Sequence, residues 1–227
     1  MEVSYLRGAF IAYEPDGYPD RKRTIPFRFN PESLSRSLAL EQGGGGAGAA
    51  AGGGASGGDA ANEQSADASS GTLKESFNVL IRVDAADRHG PGHESSKNLP
   101  PELGVAPEIA ALEDLLHPAP SEAQTSGDGS EPVEARPRRP TVLFVWGRKR
   151  VYPVRITGMT VNETDYNTDL YPVRAEIEVG LEVLGEADAR DNQAVQTALE
   201  FTSNNRREMA QLFLDNAAEQ SSNILPL

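Results

Sequence analysis

Cysteine is absent from this chain. Disulfides and thiolate metal sites are therefore excluded, and composition leaves no trace of the redox compartment. Aromatic residues make up 6% with a single tryptophan, and there are three histidines. Acids outnumber bases 34 to 21, a net charge of −13. That balance argues against a nucleic-acid backbone as partner, because phosphate binding needs clustered lysine and arginine that release counterions. Long apolar runs are missing too. No stretch reaches the ~20 apolar residues of a membrane-spanning helix, and the first seven residues, MEVSYLR, lack the basic start and apolar run of a cleaved signal. The expectation is a chain that is cytoplasmic when made, without membrane insertion and without a nucleic-acid partner.

Groups that could carry chemistry are equally sparse. His89 and His93 have the four-residue spacing that puts two imidazoles on one helix face, but Gly90-Pro91-Gly92 between them forbids that helix. His117 reads as the C-terminal cap of a helix, where partial positive charge suits the dipole. The glycines from Gly43 to Gly58 neither follow a strand as a dinucleotide-binding fingerprint nor run into a helix start with Lys and Ser or Thr, so they read as a tether and no phosphate cradle. Glu176, Glu178 and Glu182 alternate along one segment as a solvated face. No cofactor, no metal and no catalytic group is expected, and the chain is read as a non-enzyme.

What is present is alternation. From Val173 to Val183 the odd positions are Val, Ala, Ile, Val, Leu and Val, while Arg174, Glu176, Glu178 and Glu182 take the other side, the two-residue period of a half-buried strand. Thr72–Asp84 turns Phe77, Val79, Ile81 and Val83 one way. Thr141–Trp146 and Tyr152–Val161 form two further strands about the basic turn Gly147-Arg148-Lys149-Arg150, and the polar stretch 162–171 connects onward. Leu6–Tyr13, Ile25–Asn30 and Leu34–Leu40 complete the strand set, with Pro26 restricting its strand to an edge or a strand start. Ala106–His117 changes period: Ile109, Leu112, Leu115 and Leu116 recur at helical spacing, with Pro107 in the first turn. The tail 191–218 carries a broken helical stripe including Met209, Leu212 and Phe213, and Asn204-Asn205 marks a candidate break into two helices.

Two segments hold little to bury. Residues 43–71 contain half of the 22 glycines, and 118–139 is rich in Pro, Ser, Gly and Glu. Ordering costs ~1–2 kcal/mol per residue with nothing there to offset it, so both are read as flexible insertions. The expected organisation is one β domain over 1–184, with those insertions, followed by a helical extension over 185–227. Arg136, Arg138 and Arg139, and Arg148, Lys149 and Arg150, are the only concentrated positive features; they read as a solubilising flank and a hairpin turn, with a complementary patch for an acidic neighbour in an assembly as the alternative.

Taken together, Ile25-Pro-Phe-Arg-Phe-Asn30-Pro31 followed by Ser33–Leu40, the strand Ser76–Val83, the helix Pro107–Leu116, Pro140-Thr-Val-Leu-Phe-Val-Trp146-Gly147 and Pro172–Ile177 occur in an order that resembles the tube-initiator family of contractile injection systems, which are phage-tail-like particles. The resemblance implies a mainly β, α+β fold, a tail-tube-like antiparallel β-sandwich or barrel with one flanking helix. It also implies a homohexameric ring in the baseplate, with spike or hub proteins and tube proteins as partners. Asn30, Pro31, Trp146 and Gly147 would then be fold or interface positions. Such proteins often carry a C-terminal LysM peptidoglycan-binding module, but residues 185–227 lack its opening Tyr-x-Val-x-x-Gly-Asp-Thr-Leu pattern. A cell-envelope adaptor is the alternative function, and for the extension two expectations stand, docking on a partner through Met209, Leu212 and Phe213 or packing onto its own domain.

Overall fold

The structure is a computed structural model and describes residues 8–14, 19–27, 33–41, 72–89, 98–117 and 139–221. Both insertions read from the sequence, except Arg139, lie outside the described residues, as do Asn30 and Pro31.

The chain is mainly β, one seven-stranded antiparallel sheet with a few helices. The strands are β1 (Ala9–Tyr13), β2 (Lys22–Pro26), β3 (Leu34–Glu41), β4 (Thr72–Asp84), β5 (Thr141–Val145), β6 (Val151–Tyr166) and β7 (Pro172–Val183), in the order β2-β1-β5-β6-β7-β4-β3. The helices are α1 (Ala106–Glu113), α2 (Glu186–Ala189) and α3 (Gln193–Ser221). Pro26 ends an edge strand, where its missing N–H costs no ladder bond.

Alternation decides which face becomes core. In β4 every second residue from Glu75 to Val83 is buried, and in β7 Ala175, Ile177, Val179 and Leu181 are. The two sets lie opposite each other in the ladder, as Phe77 with Leu181, Val79 with Val179 and Ile81 with Ile177. In β6 the inward positions are Tyr152, Val154 and Ile156, then Met159 and Val161. The one-residue slip is a bulge between Ile156 and Gly158, which lets a long strand change inward parity while increasing its twist.

The sheet is not flat. β4 and β5 are separated by β6 and β7, about 14 Å in a flat sheet at ~4.8 Å per strand. Yet the Phe77 and Phe144 rings stand 5.5 Å apart, and Phe77 lies 4.8 Å from Tyr152. The sheet is therefore rolled, and Phe10, Phe27, Phe77 and Phe144 meet inside it. α1 adds Ile109 and Leu112, with Val105 and Leu115 on either side of it, to the same core.

α1 is anchored at its start by the Val105 N–H, which donates to the Pro172 carbonyl at 2.7 Å. That contact needs glycine one residue earlier. Gly104 has φ +52°, and a Cβ there would lie 2.0 Å from the same Pro172 oxygen. Gly104→Ala is accordingly expected to cost well over ~1 kcal/mol, since both backbone strain and a backbone clash oppose it. Thermal or urea unfolding of the variant checks this; an unchanged midpoint would mean the contact is not made.

Three sequence expectations need correction. The stretch 162–171 is not all connector: β6 continues to Tyr166, paired with β7 as far as Tyr166 opposite Pro172. Ladder hydrogen bonds sustain a strand whose side chains are polar on both faces, so alternation fades there while the strand does not. His117 does not end the helix, which closes at Glu113; a turn through Leu115 and Leu116 intervenes. Finally, α3 runs unbroken through Asn204-Asn205, because the Asn205 side chain donates 2.8 Å back to the Phe201 carbonyl and remains compatible with the helix.

Candidate interaction surface

Leu143 and Pro153 oppose each other in the ladder and point away from the aromatic core, yet both are buried. α3 packs across β5 and β6 and supplies the cover, burying Ala194, Val195 and Ala198. Its start is fixed by Asn192. The side-chain oxygen accepts from the Ala194 and Val195 N–H groups at 3.1 and 3.2 Å, an N-cap, while its amide donates to Thr141 Oγ1 at 2.7 Å. Two turns on, Thr202 accepts the Val151 N–H at 3.2 Å and donates back to the Val151 carbonyl, so a buried hydroxyl completes the start of β6.

Beyond Thr202 the helix reaches the rim of the rolled sheet. β4 and β6 begin there and β3, β5 and β7 end there. Glu75 stands just inside, 6% exposed. One of its oxygens accepts from Arg36 Nε at 2.7 Å and the other from Arg206 Nη2 at 3.0 Å, so β3, β4 and α3 are joined by a single carboxylate. The Arg36 guanidinium also lies 5.9 Å from the ring centres of Phe77 and Tyr152, over the edge of the core. Both carboxylate oxygens are engaged by fixed cations, an arrangement suited to holding elements in place.

Lys149 donates to Glu208 at 2.8 Å, which brings the β5–β6 turn onto α3. The acidic neighbour anticipated for Arg148, Lys149 and Arg150 is thus, for Lys149, the chain's own helix, while Arg148 and Arg150 are exposed. Gly147 takes φ +76° in that turn. Trp146 is half-buried, its ring 6.4 Å from Phe27 and 5.9 Å from Phe144, and its backbone N–H donates to the Arg150 carbonyl at 2.9 Å. Trp146 thus packs against the edge of the aromatic core, and Gly147 supplies the positive φ of the turn.

Past Glu208 the helix loses its cover. Met209, Leu212, Phe213 and Leu214 are 43%, 57%, 72% and 58% exposed. Beside the rim, Leu38, Leu40 and Leu73 are exposed as well, at 53%, 72% and 50%. Their ladder partners place them on the core side of the sheet, with Leu38 opposite Glu75 and Leu40 opposite Leu73. Sequence reading missed this corner. A signal was present at Glu75, a carboxylate at inward parity with Phe77 and Val79, which demands a cationic partner.

A second exposed apolar group crowns the β6–β7 hairpin, where Leu170 is 79% exposed at φ +63°. The turn is shaped by Asn167, whose Oδ1 accepts from the Asp169 and Tyr171 N–H groups and whose amide donates to the Glu102 carbonyl at 2.6 Å. The Tyr166 phenol is pushed above its ordinary value by desolvation and then by the Glu163 carboxylate, so it stays protonated at neutral pH. Arg174 is held above its ordinary value chiefly by its hydrogen bond to Asp84, with Asp165 adding to it, and remains charged.

Among the described residues no three His, Asp or Glu side chains are placed to hold a metal ion, and no helix is long and apolar enough to cross a membrane. No protein-family model matches this chain, and no curated protein matches it either.

Proposed function

We propose that this chain is a structural subunit of a contractile injection system, a baseplate or inner-tube component that joins the spike hub to the tube and catalyses no reaction. The observation that carries the reading is where the family-like segments go. Phe27, Phe77, Ile109, Phe144 and Ile177 come one from each of the five segments that resemble the tube initiators, and all five side chains lie in one core. The rolled antiparallel sheet is the form that a tail-tube-like barrel requires, and among the described residues its two outer strands have a sheet neighbour on one side only, so that a ring of copies could pair the other.

In this role the subunit forms a homohexameric ring and acts through position. Its partners are further copies, hub proteins and tube proteins. The test is recovery in particles: expressed with the neighbouring sheath, spike and tube genes, the chain is expected in purified particles at ring stoichiometry, and its deletion is expected to leave spikes without tubes. Complete particles that lack the polypeptide would overturn the reading. Retention on cell-wall sacculi in the absence of particles would favour the envelope-adaptor alternative instead.

A further inference from the structure

We draw no further inference here: the strongest candidate, the pair of exposed apolar surfaces on the outer half of α3 and at the β3–β4 corner, adjoins residues outside the described ones, and nothing in the structure shows what covers either surface.

Discussion

Phe144→Ala is expected to lower the unfolding free energy by about 3–5 kcal/mol, the range for deleting a fully buried aromatic ring. Phe144 has no exposed surface and lies within 5.5 to 6.1 Å, ring centre to ring centre, of Phe77, Phe10, Trp146 and Phe27. These neighbours come from β1, β4 and the segments that follow β2 and β5. The ring thus stands where strands remote in the sheet order face one another across the core, and its loss removes contacts that no adjacent pair of strands can replace. Thr160→Ala, on the exposed side of the same sheet, is expected to change stability by less than ~0.5 kcal/mol. Urea unfolding of the two variants compares them directly. A cost near ~1 kcal/mol at Phe144 would mean that the cavity collapses freely and the sheet is not rolled around this residue.

The second large effect concerns Glu75. With both Arg36 and Arg206 replaced by methionine, the carboxylate is left buried without a cation, and the expected cost is about 3–5 kcal/mol. Each single replacement should cost clearly less, because one guanidinium remains against a group with two oxygens to satisfy. The double replacement therefore exceeds the sum of the singles, which a double-mutant cycle reads out. Adding Glu75→Gln to the double variant removes the orphaned charge and is expected to recover most of the loss. Failure of that rescue would assign the cost to lost arginine packing on Phe77 and Tyr152 and not to charge burial. Singles as costly as the double would show that the three residues act as one indivisible unit.

Much of the fold was legible because burial has a period. β4 shows its alternation from Glu75 to Val83, and α1 announces itself by the switch to helical spacing at Pro107. β7 was equally plain, although Val173 and Val183 near its ends are only half-buried. The outer part of β6 was missed for the complementary reason. Its side chains meet water on both sides, and its pairing is a backbone property that residue type does not encode. Asn204-Asn205 misled because asparagine favours turns in isolation, whereas within a long helix its side chain bonds to the carbonyl one turn earlier. Of the candidate interface residues, Met209, Leu212 and Phe213 are indeed on the surface, but their meaning depends on what precedes them on the same face.

The sequence alone determined which side of each strand is apolar, where the first helix starts, and that the tail carries an apolar stripe. These follow from local periodicity, which side-chain chemistry writes directly into residue order. Only the tertiary structure decided that the sheet rolls until β4 meets β5, that Glu75 unites arginines 39 and 131 positions away, and that, among the described residues, the stripe of α3 is covered near its start and exposed from Met209 on. Those features depend on distances between residues remote in the chain, set by twist, a single bulge and the place where the sheet ends, and no local pattern contains them.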